Sequence, residues 1–206
     1  MLKFVASDLD GTLLDGERRV PQEAFELIRA LKRRGILFCP ASGRQYANLK
    51  SLFAPVSDDV LFMAENGALV CYRGEALYLN PIQDDLIKDA LDAVRSVRGL
   101  YPMLCGAQNA YIENAEEPFY TISFASYTNC VKVDSLDNVI GKEKICKIAV
   151  YDALGSHENG IKYLPDKMVR TGWTFRQSRR TRATPCALSK RSFPSKRRSA
   201  SPLATT

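Results

Sequence analysis

Histidine and tryptophan occur once each in the 206 residues, and no two of the six cysteines form a Cys-x-x-Cys pair. The last 28 residues hold no acid. His157 sits in a polar run at 155–160 and reads as a loop or helix start, not as a catalytic base. The cysteines are scattered, several within apolar runs such as 36–41. They are expected as reduced core thiols, which argues against a disulfide frame or a cysteine metal site. No apolar run approaches the roughly 20 residues of a membrane span. Charge also enters too early at the N-terminus for a signal peptide. The expectation is a cytoplasmic protein with no membrane partner.

Charge of one sign is missing locally, and that changes the meaning of the net +6. Eight of the 29 Lys and Arg residues lie in 179–206 without an acid, so the remaining 21 bases face 23 acids in a body of charge −2. The basic balance belongs to a tail, and nucleic acid is an unlikely partner for the body. The tail is rich in Arg, Lys, Ser, Thr and Pro, has few large apolar residues, and is expected to be disordered. With 46% hydrophobic and 25% charged residues overall, the rest suits a soluble globular protein.

What is present alternates. Short apolar strands are expected at 2–7, 36–41 and 60–64, with helices at 21–34 and 46–53 between them and a hairpin at 69–79. In the first helix, Ala24, Leu27, Ile28 and Leu31 have the inward spacing. This order predicts an α/β fold with a doubly wound parallel sheet. From about Pro81 the pattern changes to an amphipathic helix at 84–98, then strand-like runs at 101–105, 110–113, 119–124 and 145–151. A helix at 160–168 and a strand at 173–177 follow. The predicted division is 1–81, a second α+β domain at 82–178, and the tail at 179–206.

The chemistry concentrates at Asp8-Leu9-Asp10-Gly11-Thr12-Leu13-Leu14, directly after the first strand. Side chains two apart on extended backbone point the same way, so Asp8 and Asp10 can address one centre. The carboxyl end of a strand is where open α/β sheets bind ligands. Gly11 permits a sharp turn, and Thr12 adds a hydroxyl and a backbone N–H. Two close carboxylates call for a cation, and Mg²⁺ held by few carboxylates plus phosphate oxygens would serve. One carboxylate could then attack phosphorus while the other handles the proton.

This string resembles motif I of the haloacid dehalogenase-like phosphatases. Pro40-Ala41-Ser42-Gly43-Arg44 after the second strand looks like motif II. Glu65-Asn66-Gly67-Ala68 after the third resembles the turn of the Cof-type subgroup, which inserts an α+β cap at this point. The resemblance covers about 1–178. It implies a HAD-like Rossmannoid core with an inserted cap. Asp8 would be the nucleophile that forms an aspartyl-phosphate, and Asp10 the acid and then the base. Mg²⁺ would be bound by the Asp8 carboxylate and the Asp10 carbonyl. Gly11, Thr12, Ser42, Gly43, Arg44 and Asn66 would contact phosphate or substrate. The partner would be a small phosphorylated metabolite. Read without the resemblance, Ser42 could simply cap the following helix, and Arg44 could be a surface residue.

The pattern then stops. A complete Cof-type enzyme supplies a motif III lysine and a Gly-Asp-x-x-Asn-Asp segment after the cap, and neither is found here. Without the later core strand, strand 2–7 is expected to be an exposed apolar edge. The expectation is a truncated chain of little or no activity, with a reading-frame change near residue 178. On that account, the coding DNA holds an acid-rich strand–helix continuation in another frame. The alternative is a catalytically dead ligand- or partner-binding protein whose tail meets acidic surfaces or nucleic acid. An acid two residues after the nucleophile suits phosphatase or phosphomutase chemistry and does not separate them. Oligomeric state is not encoded in any motif.

Overall fold

Strands of four or five residues build the first sheet. They are β1 (Phe4–Asp8), β2 (Leu37–Ala41), β3 (Leu61–Ala64), β4 (Leu69–Tyr72) and β5 (Glu75–Leu79), in that spatial order. The computed structural model describes residues 2–154 and the backbone of 174–177. β1, β2 and β3 are parallel, and β4 and β5 return antiparallel as a hairpin. Arg73 and Gly74 both take positive φ, the geometry of a tight two-residue turn. Helix α1 (Gln22–Arg33) and helix α2 (Tyr46–Leu52) make the crossovers between the parallel strands. Pro21 precedes the first turn of α1, and Gly35 leaves it at φ 69°. The core of this unit is aromatic: Phe53, fully buried, meets Phe25, Phe38 and Phe62 with ring centroids 6.1–6.4 Å apart.

One detail of the expected pattern fails in α1. Ala24 and Ile28 are buried, but Leu27 is 66% exposed, and Phe25 takes the inward place. Phe25 lies one residue after Ala24, so the buried stripe is rotated toward the aromatic cluster. Among the described residues β1 is the edge strand of this sheet, and Phe4 within it and Leu2 before it are 44% and 62% exposed.

The second unit contains α3 (Asp84–Arg95), β6 (Leu100–Gly106), β7 (Ala110–Ile112), α4 (Phe119–Ser126), β8 (Cys130–Lys132), β9 (Ile145–Asp152) and β10 (Thr174–Gln177). Its sheet has the order β10-β9-β6-β7-β8. Along β9, side chains alternate between faces. Ile148 packs with Ile87 and Leu91 of α3, and Val150 with Val94. Lys147, Ala149 and Tyr151 take the other face, where Tyr151 joins Phe119 of α4.

The run at 119–124 is a helix, not the strand its aromatic and β-branched composition suggests. Packing overrides that weak preference. One turn of helix places Phe119 and Ser123 together, both buried. There Phe119 stacks on Tyr101 at 5.3 Å, and the Ser123 hydroxyl donates to the Phe119 carbonyl. β8 had no clear sequence signal, because three residues are too few to show a period. The helix at 160–168, His157, Cys186 and the tail lie outside the described residues. The five described cysteines are free thiols, and burial pushes Cys39 up to about 11. No helix among the described residues is long and apolar enough to cross a membrane.

Candidate active site

The register of the first sheet aligns three strand ends. Asp8 lies opposite Ala41, and Ala41 opposite Met63. The residues that follow therefore converge on one edge: the turn 9–13, the loop 42–45 and the turn 65–67. The first is a wide turn, closed by the Leu14 N–H donating to the Leu9 carbonyl at 3.0 Å. Gly11 takes φ 80° within it, a conformation that disfavours a side chain. Asp8 caps the turn by accepting from the Leu9 N–H at 2.8 Å. Asp8, Asp10, Gly11 and Thr12 are all exposed.

Ser42, Gly43 and Arg44 are held against the third strand and its turn. The Ser42 N–H donates to Met63, its carbonyl accepts from Asn66, and the Arg44 carbonyl accepts from Glu65. The Ser42 hydroxyl accepts from the Arg44 N–H at 3.2 Å, which caps the loop and leaves its own proton available as a donor. Glu65, Asn66 and Gly67 all have positive φ. This bent turn presses Asn66 against Gly43, where an added Cβ would lie 2.5 Å from Asn66 Oδ1. A Cβ at Gly43 would therefore displace the Asn66 side chain, although the φ of Gly43 itself sets no demand.

Arg44 lines the cavity at this edge and is only partly exposed. It grips Asp10 with two hydrogen bonds, Nη2 to Oδ1 at 2.7 Å and Nε to Oδ2 at 3.2 Å, and also reaches Asn48. This fork geometry is the arginine–carboxylate match, and it suits phosphate equally well.

A cavity of about 680 Å³ opens between the two units. The first unit lines it with Asp10, Gly11, Ser42, Gly43, Arg44, Asn66 and the cation Arg18. The second unit adds Met103, Phe119, Ile122 and Tyr151, with two serines and Lys147 beside Tyr127. Asp8 and Thr12 are not among its lining residues. The cavity therefore offers cationic and hydroxyl donors at one end and an apolar surface at the other, which suits an anionic head on an organic body.

Three residues here had no assigned role in the sequence. Gln45 is buried and bridges the units: its amide donates to the Gln108 and Asn129 carbonyls, and its carbonyl accepts from the Asn129 N–H. Glu65 and Lys147 form an ion pair at 2.6 Å, 1% and 3% exposed. The lysine was visible as the one cation within β9, the signal that could have marked it. Among the described residues no group of three or more His, Cys, Asp or Glu side chains is placed to hold a metal ion.

The family model of the haloacid dehalogenase-like hydrolases matches residues 5–191, reaching into the segment read as tail. The chain is 28% identical over 140 residues to the 5-amino-6-(5-phospho-D-ribitylamino)uracil phosphatase YbjI of Escherichia coli, covering 67% of this chain and 52% of that protein. It is 27% identical over 117 residues to the phosphatase YwpJ of Bacillus subtilis, covering 56% and 41%. A solved structure from Eubacterium rectale aligns with TM-score 0.63 at 27% identity, over 69% of this chain and 55% of that one. A haloacid dehalogenase-like hydrolase from B. subtilis shares the fold, with TM-score 0.61 at 19% identity over 70% and 59%. The chain spans about half the length of these relatives.

Proposed function

The chain belongs to the haloacid dehalogenase-like hydrolases, and from that membership we propose phosphomonoester hydrolysis through an aspartyl-phosphate on Asp8. The observation that supports the reading is the aligned edge: Asp8 ends β1 opposite Ala41 of β2, and Ser42, Arg44 and Asn66 follow the ends of β2 and β3 at that same edge. Residues 82–178 act as a cap over the core 1–81. The substrate is a small phosphorylated metabolite, its phosphate at the cationic end of the cavity and its body against Phe119 and Tyr151. The relatives named as phosphatases support the reaction class.

In the first step an Asp8 carboxylate oxygen attacks phosphorus, the ester P–O bond breaks, and the leaving oxygen takes a proton from Asp10. Water then attacks the phosphoryl group, Asp10 accepts its proton, and inorganic phosphate leaves with Asp8 restored. Both Asp10 oxygens are engaged by Arg44. Each Asp10 oxygen keeps a second lone pair for the proton, and the guanidinium beside it is also within reach of a bound phosphate. Ser42 and Asn66 donate to the equatorial oxygens, where fixed donors act on developing charge.

The Asp8 carboxylate and Asp10 carbonyl are hard oxygen donors, a set that fits Mg²⁺ when phosphate and water complete its shell. When bound, the ion supplies positive charge against the phosphate oxygens. The test is hydrolysis of 4-nitrophenyl phosphate with Mg²⁺. A low wild-type rate that disappears in Asp8→Asn is expected, and equal rates contradict the assignment. The Arg44–Asp10 bridge also favours a second reading, a phosphate-binding protein without turnover, for which anion binding persists and neither chain hydrolyses.

A further inference from the structure

Lys147 has no part in the chemistry just described, yet its ammonium is the most tightly enclosed cation of the cavity wall. It stands on β9, in the second unit, and makes two contacts with the first. Nζ donates to the Gly43 carbonyl at 2.7 Å and pairs with Glu65 Oε2 at 2.6 Å. The ring of Tyr127 lies 5.5 Å away. Burial alone would lower the lysine pKa, but the surrounding Cys105 thiol, Tyr127 phenol and Glu65 carboxylate hold it above the usual range. The cation is thus kept charged between two loops that belong to the candidate site.

What it holds is the peptide that orients Ser42. A peptide unit is planar, with its C=O and the following N–H pointing in opposite directions. The Gly43 carbonyl points to Lys147, so the Arg44 N–H of the same unit points away, and there it donates to the Ser42 hydroxyl. That bond occupies an acceptor position of the hydroxyl and leaves its proton for another partner. The other contact works from the opposite side. Glu65 begins the turn that carries Asn66, and the backbone of this turn bonds Ser42 and Arg44. One ammonium therefore fixes both loops.

We propose that Lys147 is a positioning residue of the phosphoryl site, a cap-borne cation that grips the Gly43 carbonyl and buried Glu65 together and so sets the Ser42 hydroxyl and Asn66 toward an anion. The proposal deepens the phosphatase reading and rests on it for the identity of the anion. It makes cap closure and anion affinity two aspects of one contact. Lifting β9 from the core removes the donor from Gly43, and an anion that needs the ordered loop favours the closed arrangement.

The test uses the double variant Lys147→Met/Glu65→Gln, which removes both charges at similar volume, together with Glu65→Gln alone, which keeps the lysine on Gly43. Three quantities are read: the thermal midpoint, the affinity for inorganic phosphate with Mg²⁺ by calorimetry, and hydrogen exchange of the Arg44 amide. The double variant is expected to melt near the wild type, to bind phosphate about tenfold more weakly, and to exchange the Arg44 amide faster. Glu65→Gln alone is expected to keep the Arg44 amide protected, because the lysine stays on Gly43, and to weaken phosphate binding less than the double variant does. A double variant with unchanged affinity and unchanged exchange overturns the proposal, as does Glu65→Gln losing protection to the same extent as the double variant. A wild type that binds no phosphate defeats the phosphatase reading alone, and the exchange comparison then still decides the role of Lys147.

Discussion

Replacing Lys147 with methionine is expected to lower the unfolding free energy by about 3–5 kcal/mol, measured by urea denaturation. Methionine fills much of the volume of the lysine stem, so little cavity forms. The cost arises at Glu65, which is 1% exposed and would keep its carboxylate with no cation. Its Oε1 already has no hydrogen-bond partner among the described residues. Burial raises the Glu65 carboxyl pKa, and Lys147 draws it back in part, so the single variant leaves the burial effect unopposed. Adding Glu65→Gln should recover most of the loss, because a buried pair replaced on both sides is often neutral or better. The exposed pairs of Arg19 with Asp15 and Glu17 make a useful contrast. Contacts of that kind contribute about 0–1 kcal/mol. A Lys147→Met chain within that smaller range would mean that the pair is not buried in solution as described.

The second large effect concerns Asp10. In Asp10→Asn the first, phosphorylating step should slow by roughly a hundred- to ten-thousand-fold for an alkyl phosphate, the span of general acid catalysis. For 4-nitrophenyl phosphate the loss should be under about tenfold, because that phenolate leaves without a proton. Dephosphorylation lacks its base with either substrate, so phosphorylated protein accumulates. Rapid-quench measurement of the first turnover reads the two substrates side by side. Equal slowing of both would assign Asp10 a structural role through Arg44 instead of a proton-transfer role.

The candidate site residues were legible in local text because each stands next to a strand end. Asp8 closes β1 and Asp10 lies in the turn that follows, while Ser42 and Asn66 each follow a short apolar strand. Parallel pairing then does the rest, since register brings successive strand ends together. Glu65, Lys147 and Gln45 could not be read in this way. Their partners lie far off in sequence, and burial of a charge is a property of the packed units. The helix at Phe119 escaped for a related reason: its residues suit a strand, and only Tyr101 and Tyr151 on the neighbouring sheet decide otherwise. The Arg44 fork on Asp10 is also a tertiary fact, since the two residues lie 34 apart in sequence.

The central claim is that phosphorus is transferred to Asp8. Intact-mass and peptide mass spectrometry of the Asp10→Asn chain, after incubation with Mg²⁺ and acetyl phosphate, tests it most directly. The account predicts the added mass of one phosphoryl group, mapped to Asp8, labile to hydroxylamine and missing when Asp8→Asn is also present. No adduct, or an adduct that survives the loss of Asp8, would contradict it.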